Sequence, residues 1–343
     1  MILIKNIYYM LSYAYQVLNE EGMKNMDLES FDNVQKLCAE ILIKGIHIQI
    51  KRGLKRDYVL KSEQMSAVKG KIDVTETLKT MSVLRRKQVC NYDDLTIDIP
   101  LNRILKTTML ILLKGDVTKL QKKELRKLLV YFSNVRETDI HSIDWNIHYT
   151  RNNQYYQMLI SICYLVLKGL LQTEKDGSYK MMDFFDEQRM NRLYEKFILE
   201  YYRKHYPQLS PNPSPIEWQL DQAGDAMLPM MKTDITLKSG NNILIIDAKY
   251  YSHNTQEQFG KRTIHSNNLY QIFTYVKNKD YELKDTPHTV SGLLLYARTD
   301  EEIQPDNDYY MSGNRIGVKS LDLNAEFESI ASILNGIANM MEI

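Results

Sequence analysis

The sequence is poor in cysteine and in long apolar runs, and these absences exclude several classes of protein. Three cysteines, Cys38, Cys90 and Cys163, are spread over 343 residues, without the spacing of a disulfide framework or of a cysteine-ligated metal. No uncharged apolar run reaches the roughly 18 residues that a membrane span requires, and the N-terminus lacks the pattern of a secretory signal. We therefore expect free thiols in a reducing, cytoplasmic protein that does not enter a membrane.

Glycine is also scarce, with 14 residues, and no Gly-rich loop of the Walker type is present. The chain is therefore not expected to bind a nucleotide itself. Its length exceeds that of one ordinary core, so two domains are predicted, at 1–145 and 146–343.

Charge is divided unevenly along the chain, although the net charge is only +1. Residues 1–150 carry 24 Lys/Arg and 18 Asp/Glu, whereas residues 151–343 carry 20 and 25. Within 51–90 there are 11 basic and 4 acidic residues. Such a segment forms either a solvated face or a docking surface for nucleic acid or an acidic protein. The candidate contact residues are Arg52, Lys55, Arg56, Lys69 and Lys71.

The first half has the pattern of helices flanking a small β insert. Apolar residues recur at helical spacing over 6–19, with Asn6 as a cap, and over 31–50 and 101–133; Gly45 is a possible weak point in the second helix. Short β-like pieces lie at Asp57–Leu60, Gly70–Val74 and Gln88–Tyr92. We therefore expect an N-terminal α+β domain with a basic β insert at about 51–95.

The second half alternates strands and helices. After a helix at 153–171 and a loop at 177–183, the predicted order is helix, three strands, helix, two strands and a closing helix. Strands that are separated by a crossover helix indicate an α/β fold with a mixed sheet. The predicted elements are 188–205, 215–220, 231–238, 242–250, 265–278, 290–297, 314–320 and 325–340.

Two aspartates and a lysine converge in this second half. Gly240 and Asn241 form a turn signal between apolar runs, which predicts a β-hairpin. A hairpin that closes there sets Asp234 opposite Asp247. Because side chains alternate along a strand, Lys249 lies on the same face as Asp247.

Opposed carboxylates repel each other, so the pair is destabilising unless a cation offsets the repulsion. Mg²⁺ suits oxygen ligands, takes one or two protein carboxylates and keeps several waters, which predicts a Mg²⁺ site on Asp234 and Asp247 for phosphoryl chemistry. Lys249 would orient or deprotonate the attacking water, or stabilise negative charge. The alternative is a hairpin with a surface salt bridge among the same three side chains.

This order of residues resembles the PD-(D/E)XK nuclease motif, in which an Asp on one strand precedes a hydrophobic strand that ends in Asp-x-Lys. Thr233 stands where the motif has proline. The resemblance implies an α/β PD-(D/E)XK endonuclease domain in which Asp234, Asp247 and Lys249 cleave DNA with Mg²⁺.

Neighbouring residues are candidates on the same resemblance. Gln271 and Tyr275 lie one helical turn apart and resemble the Gln-x-x-x-Tyr element of RecB-like nucleases, which implies a catalytic amide and a DNA contact. Glu195 lies where the first helix of the nuclease fold often contributes another acidic residue, which implies a further metal ligand. Alternatively, these residues belong to packed or exposed helix faces. Three residues before the Gln271 helix either contact phosphates or are solvated loop charges: Lys261, Arg262 and His265.

Four stretches resemble the McrC family, the nuclease subunit of the McrBC modification-dependent restriction system. The resemblance implies that the C-terminal half cuts double-stranded, methylated DNA. It also implies that the N-terminal half docks, through the basic insert, onto a hexameric McrB-like AAA+ GTPase, which binds the GTP. The stretches run in family order at 6–15, 52–58 with 68–72, 101–106, and 233–251 with 265–271.

Two other functions stay open. A non-catalytic adaptor would keep the nuclease fold and activate the motor, but it would be free to lose the three site residues. A stand-alone RecB-like repair nuclease would not require the large basic N-terminal half.

Overall fold

The computed structural model describes residues 2–15, 33–147, 149, 154–173, 187–222, 227–258 and 261–341. It divides into two compact units: an insert unit, Asn33–Tyr179, and a sheet unit, Met1–Asp32 with Lys180–Ile343. The expected boundary at residue 145 falls inside the insert unit, and the N-terminal helix belongs with the C-terminal part of the chain. The expected loop at 177–183 and the end of the first predicted helix, 16–19, lie outside the described residues.

Some of the described helices begin at a side-chain cap. Asn33 accepts a hydrogen bond from the backbone N–H of Lys36, and Thr118 and Gln121 form a reciprocal capping box. None of the helices in the described ranges is long and apolar enough to cross a bilayer. In chain order they are α1 (Ile4–Ala14), α2 (Val34–Arg52), α3 (Val74–Lys79), α4 (Pro100–Lys114), α5 (Lys119–Val130), α6 (Gln154–Thr173), α7 (Glu187–His205), α8 (Ser266–Glu282) and α9 (Phe327–Asn339).

The strands form one large sheet in the sheet unit and one small sheet in the insert unit, with two further short pairs. They are β1 (Asp57–Met65), β2 (Lys71–Ile72), β3 (Gln88–Thr96), β4 (Pro215–Ile216), β5 (Met231–Lys232), β6 (Ile235–Ser239), β7 (Asn242–Lys249), β8 (Thr255–Gln258), β9 (Lys261–Ile264), β10 (Thr289–Ala297), β11 (Asn307–Met311) and β12 (Asn314–Leu321).

The basic insert is a three-stranded antiparallel sheet in the order β1-β3-β2, at the places where β-like pieces were predicted. The sequence did not reveal α3, which begins where the Asp73 side chain accepts the N–H of Glu76. Around the insert, α2 runs unbroken through Gly45, because α6 packs against that position. A Cβ there would meet Leu159 Cδ2 at 2.6 Å, so glycine permits the close approach.

The large sheet has the order β11-β12-β10-β7-β6. β7 and β10 are parallel neighbours joined through α8, β10 and β12 are also parallel, and β6 pairs antiparallel with β7. The expected α/β architecture with a mixed sheet and a crossover helix is confirmed. Since β7 is flanked on both sides, its apolar run Ile243–Ile246 is buried.

Asn6 does not cap α1 as expected. The helix begins at Ile4, and the buried Asn6 side chain donates to the backbone oxygens of Leu323 (2.8 Å) and Ala325 (2.7 Å). A side chain that satisfies two buried carbonyl groups fixes one segment to another. This contact ties α1 to the segment before α9.

The three cysteines are free and buried, as expected from their spacing. Burial raises the pKa of both Cys38 and Cys163 to about 12. Because the thiolate is the reactive form, these side chains act as core packing groups.

Candidate active site

The turn between β6 and β7 determines which side chains meet at the far end of the hairpin. Gly240 adopts a φ of +57°, which the tight turn requires and glycine permits. Ile235 pairs with Ile246, so the predicted register is confirmed. Asp234, immediately before β6, therefore lies beside Asp247 in β7.

The site is buried. Asp247 is 1% exposed and Lys249 is 9% exposed, and their Oδ2 and Nζ atoms are 2.9 Å apart. Asp234 Oδ2 accepts a hydrogen bond from the backbone N–H of Ala248 at 3.0 Å, which holds its carboxyl group against β7. The ion pair between Asp247 and Lys249 therefore lies in the interior of the sheet unit rather than on its surface.

Burial and neighbouring negative charges act together on the pKa of Asp234 but against each other on the pKa of Lys249. Burial, followed by the negative charges of Asp247 and Glu195, raises the pKa of Asp234 to about 8. Burial alone would lower the pKa of Lys249, but Asp247 and Asp234 outweigh it and raise that pKa above its usual value. Lys249 is thus held protonated.

The donor set fits a divalent cation bound by two carboxylates. Within the described residues Oδ1 of the buried Asp247 has no hydrogen-bond partner, whereas Oδ2 faces Lys249 Nζ at 2.9 Å. Buried carboxylate oxygens without donors are rare, and a hard cation satisfies them. Among the described side chains no three His, Cys, Asp or Glu residues converge closely enough to form a metal site, so Glu195 does not complete a three-carboxylate cluster here.

Glu195, on α7, nevertheless belongs to the same electrostatic group. Burial and then Asp247 raise its pKa, and the charge of Lys249 acts in the opposite direction. One turn earlier on α7, Asn191 donates from Nδ2 to Glu195 Oε1. The other end of the same amide, Oδ1, accepts the backbone N–H of Tyr250 at 2.7 Å. Sequence reasoning missed Asn191, although its spacing of four residues from Glu195 was a usable signal.

A second polar group missed from the sequence lies across the sheet. Tyr296 in β10 pairs in register with Lys249, is fully buried, and accepts a hydrogen bond from Asn268 Nδ2 at 2.9 Å. Tyr251 donates to Asn268 Oδ1 at 3.2 Å. This chain of hydrogen bonds ties α8 to the ends of β7 and β10.

Gln271 and Tyr275 share one face of α8, as their spacing predicts. Gln271 Nε2 donates to the Tyr275 hydroxyl oxygen at 3.0 Å. The Tyr275 side chain is 9% exposed and packs in the core beneath the sheet, among residues that include Ile272. Tyr275 thus packs in the core and holds the Gln271 amide, and its role as a DNA contact stays a prediction.

Two of the three candidates before α8, Lys261 and Arg262, lie on the short hairpin β8–β9 rather than in a loop, and His265 lies between β9 and α8. Lys261 and Arg262 belong to β9; Arg262 is exposed, whereas the side chain of Lys261 lies outside the described parts. The His265 ring packs against Tyr251, and its Nε2 lies 3.0 Å from the carbonyl oxygen of His253. Of these three, Arg262 is thus the described side chain that faces solvent.

In the insert unit, the five predicted basic contacts have different surroundings. Lys69 lies over the Tyr92 ring at 3.8 Å, and Arg52 lies 4.9 Å from the Tyr155 ring. Arg56 and Lys71 are exposed, and Lys55 is half-buried. The insert also exposes large apolar side chains, which sequence reasoning did not single out: Tyr58, Leu60, Leu78, Met81 and Leu84.

Comparison with known proteins gives matches over most of the chain. A family model described as McrBC 5-methylcytosine restriction system component matches residues 4–297. The chain is 30% identical over 336 residues to the Type IV methyl-directed restriction enzyme EcoKMcrBC of Escherichia coli K12, covering 95% of this chain and 94% of that protein.

Two solved structures are more distant. One is a half-complex from a tetradecameric assembly of Thermococcus gammatolerans McrB AAA+ hexamers with bound McrC, at 18% identity and a TM-score of 0.47, covering 98% of this chain and 76% of the other. The second is the Thermococcus gammatolerans McrBC complex, at 20% identity and a TM-score of 0.40, covering 57% and 56%.

Proposed function

Since the chain belongs to the McrBC 5-methylcytosine restriction system component family, we propose that it is the McrC-type endonuclease subunit of such a system. It would hydrolyse phosphodiester bonds of double-stranded, methylated DNA on a PD-(D/E)XK fold, together with an McrB-like AAA+ GTPase hexamer. The observation that carries this proposal is the convergence of Asp234 with the buried Asp247 and Lys249 at the end of the central strand β7.

The chemistry of the donor set supports Mg²⁺ on the two aspartates. Asp234 and Asp247 would hold the ion, which would supply an activated water and neutralise charge on the phosphoryl group. The Ala248 N–H fixes Asp234, and burial keeps competing solvent away from Asp247. Two fixed carboxylates in a dry setting provide the preorganisation that such catalysis requires.

The raised pKa of Lys249 favours one of its possible roles. A lysine that stays protonated at neutral pH is a poor general base, but it provides a fixed positive charge beside the reacting phosphate. Lys249 is therefore proposed to stabilise the charge that develops on the phosphoryl oxygens. Gln271, oriented by Tyr275, is proposed to position the attacking water or the phosphate.

The two surfaces beyond the site have separate proposed roles. The exposed Arg262 on the β8–β9 hairpin follows closely on Lys249 in the chain and is a candidate phosphate contact, with Lys261 and His265 beside it in sequence. The insert is the proposed docking element for the GTPase ring. Its support is the excess of basic residues over 51–90, together with apolar side chains that are exposed.

The test of the catalytic proposal is the replacement of Asp247 by Ala and, isosterically, by Asn. With the GTPase partner of the same system, GTP and methylated plasmid, both variants should lose cleavage by at least about a thousandfold, because the main cation ligand is gone. Stimulation of the partner's GTP hydrolysis should persist. EDTA should abolish wild-type cleavage, and Mg²⁺ should restore it.

Asp308→Ala is the matched control, because Asp308 pairs with Arg315 at 2.9 Å on the outer strand β11. It should cleave as the wild type does. Cleavage at the wild-type rate by folded Asp247→Asn would contradict the assignment of the site. Stimulated GTP hydrolysis without cleavage by the wild type, in any divalent metal, would favour a non-catalytic adaptor.

A further inference from the structure

We infer that Asn191 is a positioning residue, which fixes the Glu195 carboxylate beside the Asp247–Lys249 pair by bridging it to the end of the catalytic strand. The inference rests on the proposed nuclease function and adds to it a residue that acts through Glu195. It is based on the side-chain amide of Asn191, whose Nδ2 and Oδ1 atoms both form hydrogen bonds.

The orientation of this amide is unambiguous. The backbone N–H of Tyr250 only donates, so the atom that faces it at 2.7 Å must be the Asn191 carbonyl oxygen, Oδ1. The NH₂ group must then point the other way, toward Glu195 Oε1, where it donates. A carboxylate accepts from such a donor, so both bonds are satisfied together.

The contact joins two elements that the chain does not hold together locally. Asn191 and Glu195 are one turn apart on α7, so they share a face of that helix. Tyr250 follows Lys249 directly at the end of β7. The distance between the helix acid and the strand that carries Asp247 and Lys249 is therefore set through Asn191.

Such a bridge suits a carboxylate that lies just outside the pair of aspartates. Glu195 is half-buried and does not form a three-carboxylate cluster with them in the described structure. It can still accept hydrogen bonds from the water shell of a cation held by the pair. Residues that orient the groups around a metal typically change its affinity 10–100-fold when they are removed.

The experiment compares Asn191→Ala and Asn191→Asp with the wild type. The aspartate still accepts from Tyr250 but cannot donate to Glu195, so it separates the two hydrogen bonds. Both variants should raise the Mg²⁺ concentration for half-maximal cleavage by the complete complex about tenfold. Both should weaken binding of Mn²⁺ by the full chain, measured by electron paramagnetic resonance, by a similar factor.

Asn278→Ala is a closely matched control. Asn278 lies on α8, accepts the backbone N–H of Gln219 at 2.9 Å, and donates to the Thr274 carbonyl oxygen at 2.9 Å. It is thus a bridging helix asparagine away from the site. This variant should lose comparable thermal stability while its half-saturating Mg²⁺ concentration and Mn²⁺ affinity stay within about twofold of wild type.

A double-mutant cycle tests whether Asn191 acts through Glu195. In a Glu195→Gln background, Asn191→Ala should change Mn²⁺ affinity by less than about twofold, because the group it orients is already altered. A full tenfold effect in that background, or none in the wild-type background, would overturn the inference. Absence of cleavage by the wild type would instead contradict the proposed function, and the Mn²⁺ measurements would still decide the role of Asn191.

Discussion

Asp234 occupies a position where a negative charge destabilises the folded chain, and it is one of the two proposed cation ligands. Burial and two neighbouring carboxylates raise its pKa to about 8, whereas an unfolded aspartate ionises near pH 4. Between these two pH values the carboxyl group ionises in the unfolded chain but stays protonated in the folded one. The free energy of unfolding therefore falls as pH rises toward 8. The same feature makes the site receptive to a positive ion.

Replacing Asp234 by Asn should therefore stabilise the protein in EDTA while cleavage is lost. Asparagine keeps an oxygen for the Ala248 N–H but carries no charge. If about 1 kcal/mol of repulsion is relieved, the melting temperature should rise by about 2–4 °C at pH 8. The gain should vanish below about pH 4, where the Asp234 carboxyl group is neutral in the folded and in the unfolded chain. Thermal denaturation at several pH values measures it.

Asp306→Asn is a suitable comparison, because Asp306 is an exposed acid whose nearest cation, on Lys319, is 3.5 Å away. Its melting temperature should follow the wild type at every pH. A melting temperature for Asp234→Asn below that of the wild type at pH 8 in EDTA would contradict net repulsion at the site.

At this scale the sequence predicted what local rules determine. The Gly-Asn turn set the register that opposes Asp234 and Asp247, and strand alternation placed Lys249. It could not reveal that Asn191 reaches Tyr250, because that contact joins residues 59 positions apart. It also could not distinguish a buried Tyr275 from a DNA-facing one, since helical spacing does not say which face is covered.

At the scale of elements, Asp98 is the junction between β3 and α4. It accepts from Arg103 Nε and Arg136 Nε, each at 2.6 Å, and from the Arg136 backbone N–H at 2.9 Å. The bond from Arg103, with help from Arg136, holds the pKa of Asp98 well below its usual range. A depressed pKa contributes stability above about pH 4, and that stability is lost as pH falls through the folded-state pKa.

Asp98→Asn should therefore lower the free energy of unfolding at pH 7 by about 2 kcal/mol, since hydrogen bonds to a charged group are lost. The difference from the wild type should shrink steadily below pH 4. Urea denaturation at pH 7 and pH 3 measures both values. Asp94→Asn, which removes an ion pair with Lys61 on the solvent-screened surface of the insert, should cost much less. Equal losses in the two variants would contradict the special role of the junction.

The long periodic elements matched their predictions, whereas the short polar ones did not. The strand β8, Thr255–Gln258, has no apolar alternation, and β11 is exposed along most of its length. Such strands are stabilised by pairing with a neighbouring strand, and the local sequence does not reveal that pairing. The predicted helix at 101–133 divides into α4 and α5 at Gly115, where a glycine ends the first helix.

The insert carries two kinds of exposed group, and they should affect docking differently. Neutralising the basic residues Lys55, Arg56, Lys69 and Lys71 should slow association with the GTPase, most strongly at low salt. Replacing the exposed Leu78, Met81 and Leu84 by Ser should weaken affinity at every salt concentration, because burial of apolar surface is not screened. Titration of stimulated GTP hydrolysis at two ionic strengths measures both effects.

DNA binding without the partner is the control for both insert variants. If GTPase stimulation is unchanged while DNA binding collapses, the insert is a nucleic-acid surface and the docking proposal is wrong. Stability should barely change in either variant, because the altered side chains are surface groups that support little of the core.

At the scale of the whole molecule, charge separates the two halves of the chain. Residues 151–343, which contain the candidate active site, carry five more acidic than basic residues, whereas residues 1–150 carry six more basic than acidic ones. DNA affinity without sequence recognition depends on cations placed against phosphates. Residues 151–343, with their net negative charge, are thus poorly equipped to capture DNA by themselves.

The purified chain alone should therefore cleave methylated plasmid at least about a hundredfold more slowly than the chain with its GTPase and GTP. The partner would bring the DNA to a site whose surrounding half of the chain repels DNA. Raising the Mg²⁺ concentration should therefore not substitute for the partner. Plasmid cleavage is followed by gel at fixed ionic strength, with chain alone, chain with partner, and chain with partner but no GTP. The Asp247→Asn complex gives the background of contaminating nucleases. Efficient degradation by the chain alone, equally fast on unmethylated DNA, would place it instead with the stand-alone repair nucleases.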